Sequence, residues 1–158
     1  MLQELATAGF PLDRVVGLDG IARTDLVERV AADVPGGLDG LRVVRTTGDR
    51  LLTERLAAAD GEGDHQLYGA QMYDCAVTIA LAAIAAGSAE PTAVGAQVRA
   101  VTSGGRTCST FAHCRALLEV GEDIAYSGAS GGLEIGETGD ISTARLTTSV
   151  VVDGELAE

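Results

Sequence analysis

Three groups of residues in this 158-residue chain have the types and spacing to do chemistry. Gly128-Ala-Ser-Gly-Gly132 matches the G-x-S-x-G pattern in which a sharp turn presents a serine hydroxyl as a nucleophile. Folds that use this pattern place the acid and then the histidine after the serine, whereas both histidines here, His65 and His113, precede Ser130. A serine hydrolase using Ser130 is therefore the weakest of the functional readings, and a glycine-rich turn is the stronger one. Asp60-Gly-Glu-Gly-Asp64 resembles the start of a calcium loop, in which alternate carboxylates converge on one cation, but His65 and Gln71 stand where the loop needs glycine and glutamate. A solvated acidic linker is the better reading. Ser103-Gly-Gly-Arg-Thr107 lacks the Gly-Lys-Ser ending that holds phosphates, and neither GxGxxG nor a Walker A sequence occurs.

Cys108 and Cys114 are close enough in sequence to close a small disulfide loop, provided that the chain between them turns into a helix carrying Cys114. Two free thiols are the alternative. Zinc would need two more ligands, and His113 is the only nearby candidate. Cys75 lies in an alanine-rich apolar segment, where burial as a small hydrophobe is the expectation. A bonded Cys108–Cys114 pair would imply an oxidising compartment.

These groups must be positioned by alternating elements. The spacing of Leu2, Leu5 and Ala6 before Gly9 reads as the last turns of an amphipathic helix, so the chain is expected to begin inside a domain. Residues 14–18 read as a short strand turned by Asp19-Gly20 toward a helix over 25–34, with Thr24 as N-cap and Pro35-Gly36-Gly37 as the stop. A second strand covers 41–45 and a helix 49–59. The longest helix is expected over 67–86, closed by Gly87. A weaker one starts at Pro91, and another spans 111–120 and ends at Gly121. Leu133-Glu-Ile, a turn at 137–140 and residues 144–152 read as β-structure ending at Asp153-Gly154. Strand and helix alternating in the first half argue for a parallel α/β layer.

Composition narrows the function. The formal charge of −12 repels nucleic acid and anionic lipid, and two Phe, three Tyr and no Trp leave little for base or sugar stacking. No uninterrupted apolar run reaches the about 18 residues of a membrane span. The first residues show no basic, apolar and cleavage regions of an export signal.

Against this background, Tyr73-Asp-Cys-Ala-Val-Thr-Ile-Ala-Leu-Ala-Ala-Ile-Ala-Ala-Gly87 resembles the "YDA…ALA…AG" helix of the branched-chain amino-acid type of periplasmic binding protein. Leu118 onward, through Ile124-Ala-Tyr-Ser-Gly-Ala-Ser-Gly-Gly132 to Thr138-Gly-Asp140, is similar to that family's closing segment. Gly17-Leu-Asp-Gly20 and Gly37-Leu-Asp-Gly-Leu-Arg-Val43 resemble the strand, ligand-facing turn and "G-V-x-G" strand of its second lobe, and the Cys108/Cys114 pair suits a subgroup.

The resemblance implies an α/β fold, a parallel-sheet sandwich of the two-lobed type 1 periplasmic binding protein, with most of the first lobe absent. Residues 1–64 would belong to the second lobe, 65–141 to the C-terminal part of the first lobe, and 142–158 to a strand returning to the second. It implies the solute-binding component of an ABC importer, not an enzyme and without a cofactor or metal. Its partners would be an amino acid or amide and an ABC permease, with no nucleic acid and no membrane insertion by this chain. Its place would be the periplasm or extracellular face, lipid-anchored or secreted in the full-length protein. Asp19, with Gly20, corresponds to the group that holds the ligand ammonium, and Tyr73 is a candidate for the interlobe surface, although a turn residue and a half-buried tyrosine are the plainer readings. A sensor domain of the same fold is the alternative within the family.

Overall fold

The computed structural model describes residues 1–22, 24–34, 37–60 and 68–157. The chain divides into two compact α/β units, one formed by residues 1–47 and 146–158 and the other by residues 48–145.

The first unit begins with helix α1 (Leu2–Thr7), closed where the amides of Gly9 and Phe10 return to the carbonyls of Ala6 and Leu5. Gly9 has φ 72°, the left-handed conformation expected of a glycine past a helix end. Strand β1 (Val16–Gly17) pairs in parallel with β2 (Arg42–Thr46), Val16 opposite Arg42, and α2 (Thr24–Asp33) lies between them in sequence. The side chain of Thr24, the expected cap, and the stop at Pro35-Gly36 lie outside the described residues.

β2 then pairs antiparallel with β6 (Leu146–Val152), and β6 with β7 (Glu155–Ala157), giving the order β1-β2-β6-β7. The parallel layer expected from the first half is thus only its β1–β2 step. β6 enters from the far end of the chain and runs the opposite way, which makes the sheet mixed. Along β6 the inward residues alternate, Ser149 and Val151 being buried, as a strand with one covered face requires. Asp153 and Gly154, with φ 52° and 81°, form the two-residue turn to β7 that the sequence marks only as a strand end. Leu38, Leu41, Val43 and Val27 fill the core of this unit.

The second unit contains α3 (Arg50–Asp60), α4 (Gly69–Ala86), α5 (Pro91–Val98), β3 (Arg106–Cys108), α6 (Phe111–Glu119), β4 (Ile124–Gly128) and β5 (Gly131–Gly132). Each helix carries the local chemistry that starts or stops it. Asp49 Oδ1 accepts from the amides of Leu51 and Leu52 at the head of α3, Pro91 occupies the first turn of α5, and the Thr110 hydroxyl accepts from His113 N at the head of α6. Gly87 and Gly121, at φ 58° and 80°, end α4 and α6 as expected.

β3 and β4 are parallel neighbours, Thr107 opposite Ala125, and β5 turns back antiparallel on β4. The approach is so close at Gly105 that a Cβ there would collide with the Asp123–Ile124 peptide. Leu81, Val101, Leu117, Ile124 and Tyr126 form the core with the two bonded cysteines.

Several expectations shift. The strand expected at Leu133-Glu-Ile is a single bridge between Ile135 and Ile141, because the chain spends its pairing on the tighter β4–β5 hairpin just before it. α3 belongs to the second unit, so the division falls after Thr47 and not at residue 64, and the return falls at Leu146 and not at 142. The amide of Asp49, hydrogen-bonded to the carbonyl of Ala129 at 2.7 Å, is one of the contacts that join α3 to that unit. The acidic linker itself lies outside the described residues beyond Asp60, where α3 ends.

Candidate functional site

Asp74 is the only charged residue in α4, and it faces inward at 1% exposure. A carboxylate in that position is tolerated only if its oxygens are hydrogen-bonded. Four donors meet it. Oδ1 accepts from the Tyr126 hydroxyl at 2.8 Å and the Ala129 amide at 2.8 Å, and Oδ2 accepts from the Ser130 amide at 2.7 Å and the Ser130 hydroxyl at 2.6 Å. Each oxygen thus takes one backbone N–H and one hydroxyl.

The donors come from the end of β4 and the turn into β5, and Gly128 lets that turn come close. Its Cα lies so near Asp74 that an added Cβ would overlap the carboxylate. On its other side the turn is held by Asp49, whose amide donates to Ala129 O. The peptide at Ala129 therefore ties the second turn of α4 to the start of α3.

Burial first, and then the hydrogen bond to Asp74, hold the Tyr126 phenol well above the ordinary tyrosine range. The charges of Asp74 and, least, Tyr73 act in the same direction.

With four donors on a carboxylate's roughly four lone-pair sites, Asp74 keeps no acceptor for a substrate or metal. The Ser130 hydroxyl is buried and donates to Asp74 instead of standing exposed at a turn tip. His113, the one described histidine, is exposed on α6 and is engaged through its backbone amide; His65 lies outside the described residues. The arrangement is a lock on the turn at 128–130. Among the described residues no three His, Cys, Asp or Glu side chains gather as a metal site.

Asp19 and Gly20 lie in the first unit, in a single 3₁₀ turn immediately after β1, at the carboxyl end of a parallel strand. Asp19 Oδ1 accepts from its neighbour, the Gly20 amide, at 3.0 Å, and Gly20 is exposed with open space around its Cα. Tyr73 lies in the second unit on α4, 43% exposed.

Cys108, at the end of β3, is bonded to Cys114 in α6 with their Cα atoms 5.3 Å apart, which settles the choice left open between disulfide and free thiols. Cys75 departs from expectation: it is a free thiol and exposed, because the inward positions of α4 are taken by Asp74, Val77, Thr78 and Leu81.

Asp74 is the residue that sequence reasoning passed over. A single carboxylate inside an otherwise apolar helix is itself a signal, since a charge on a buried face has to find partners. No family model matches the chain, and no curated protein or solved structure matches it either.

Proposed function

We propose that this chain is the C-terminal portion of an extracytoplasmic solute-binding component of an ABC importer, of the two-lobed type 1 periplasmic binding protein fold, taking an amino acid or similarly small polar ligand. The observation that carries the reading is the path of the chain: one α/β unit holds both residues 1–47 and residues 146–158, and the other is inserted between them. A binding protein whose chain crosses between two lobes has this arrangement. The Cys108–Cys114 bond supports an oxidising compartment.

Asp19 would neutralise the ligand ammonium. Its place after the carboxyl end of β1 is where α/β folds gather ligand contacts. Gly20 lies beside it in the same turn, and an ABC permease would receive the solute.

The test is calorimetry with a panel of amino acids on two proteins, the chain alone and the chain joined to whatever in-frame sequence is encoded upstream of Met1. Binding is expected only in the longer protein, and Asp19→Ala should weaken it by about 30-fold or more, the loss that follows removal of a charge partner. Tight binding by the 158-residue chain alone would overturn the fragment reading. An Asp19→Ala protein that binds as well as the parent would remove Asp19 from the site.

A further inference from the structure

The chain crosses between its two units twice, after Thr47 and after Arg145, and on the second-unit side both crossings are tied to one turn. That turn is residues 128–132, from the end of β4 into β5. Ala129 O accepts from the Asp49 amide at 2.7 Å, just past the first crossing. Gly132 O accepts from the Thr143 hydroxyl at 3.1 Å, just before the second. Between these two ties Gly128 packs on the Asp74 carboxylate and Ser130 donates to it twice.

The first-unit side is clamped as well. β2 and β6 are antiparallel neighbours, and their register ends with Thr46 opposite Leu146. Thr46 and Asp49 therefore bracket Thr47-Gly48 on one crossing, and Thr143 and Leu146 bracket Ala144-Arg145 on the other. Motion between packed units is absorbed by a few such element-terminal residues.

We propose that the turn at 128–132 is the second unit's hinge anchor, and that Asp74 is the positioning residue that stiffens it. The turn has little rigidity of its own. Three of its five residues are glycines, and β5 is a strand of two residues. The four hydrogen bonds to Asp74 supply what the turn lacks, and through Ala129 and Gly132 they reach both crossings at once. Bending is thereby confined to Thr47-Gly48 and Ala144-Arg145. The inference rests on the path of the chain and not on the ligand reading, so a failure of amino-acid binding leaves it standing.

Two readouts test it in a Cys75→Ser background: exchange of the Asp49 amide, and the distance distribution between spin labels at Glu28→Cys on α2 and Val120→Cys after α6, both exposed positions. Ser130→Ala, which removes one donor to Asp74, should speed Asp49 exchange by about 10-fold or more, the worth of one hydrogen bond to a charged group. It should also broaden the label distribution. Thr143→Val, at an exposed residue, removes only the bond to Gly132 O. It should broaden the distribution without changing Asp49 exchange, and it serves if Ser130→Ala folds poorly. Thr102→Val is the control, since its buried hydroxyl bonds to the carbonyls of Val98 and Arg99 in the same unit. It should lower stability and leave the label distribution unmoved. A distribution unchanged by both turn variants, or equal broadening by Thr102→Val, would overturn the proposal. So would Asp49 exchange in Ser130→Ala that rises no more than that of the β3 amides, since the variant would then act only through global stability.

Discussion

Ser130 meets Asp74 twice, its amide and its hydroxyl both donating to Oδ2 at 2.7 and 2.6 Å, while Ala129 N and Tyr126 Oη serve Oδ1. This pairing makes asparagine a poor replacement for Asp74. An amide presents one acceptor and one donor, and whichever way it is turned its NH₂ faces a backbone N–H that cannot reverse. Asp74→Asn should therefore destabilise the second unit by about 3 kcal/mol, and Asp74→Ala by at least as much, since buried donors left unsatisfied cost about 1–3 kcal/mol each. Urea unfolding followed by circular dichroism checks this. A cost below 1 kcal/mol for Asp74→Asn would contradict a fully donated carboxylate.

Ser130→Ala removes only the hydroxyl and leaves its amide on Oδ2. The expected cost is about 1.5–3 kcal/mol, the scale of one hydrogen bond to a charged group. Gly128→Ala should cost more than Ser130→Ala, although it deletes no polar atom, because its Cβ would occupy the space of the carboxylate. If the order of these two variants were reversed, hydrogen bonding and not close approach would dominate the lock.

Tyr126 gives the lock an alkaline limit. Its phenol is held above the ordinary range in the folded protein, whereas in the unfolded chain it ionises near pH 10. Below about pH 10 both states keep the proton and the contribution is fully present. As pH rises above 10 toward the folded value, the unfolded state releases its proton first, and stability falls by at most about 1.4 kcal/mol per pH unit. Stability measured from pH 8 to 11 in a Cys75→Ser background, which prevents thiol exchange, should show this decline. Tyr126→Phe should lower stability at neutral pH and flatten the alkaline slope.

The lock was half visible in the residues. Helix ends marked by Gly9, Gly87, Gly121 and Pro91 were legible because each acts on its own neighbours, whereas the Thr110 cap of α6 went unread. The α/β character and the disulfide spacing were legible for the same reason. β3 was not, since three residues carry too little pattern, and β4 showed only as Ile124-Ala-Tyr126 inside a resemblance. The role of Asp74 was hidden because its partners lie 52 to 56 residues away. Ser130 matched a nucleophile pattern, though the glycine-rich turn was the stronger reading, because the glycines that surround a strained catalytic serine are also those that let a turn close on a carboxylate. The division after Thr47 was hidden too, since the contacts that join α3 to the second unit, among them the backbone hydrogen bond from Asp49 to Ala129, link residues far apart in sequence.

The Cys108–Cys114 bond supports the same region from the other side, by joining the end of β3 to α6 beside Tyr126 in one core. The loop it closes is short, with a sequence separation of 6, so the chain-entropy estimate is modest, about 2.4 kcal/mol. Alanine is the replacement of choice, because both cysteines are buried and a serine hydroxyl would need partners there. In a Cys75→Ser background, Cys108→Ala with Cys114→Ala should lower the stability of the second unit by about 2–4 kcal/mol, cavity loss included. Hydrogen exchange localises the effect: amides of β3, α6 and β4 should lose protection while those of β2 and β6 keep theirs. Reductant should lower the bonded protein by the loop contribution alone, about 2.4 kcal/mol, and leave the double alanine variant unmoved. If reductant changed neither, the bond would contribute nothing to the unit that holds Asp74.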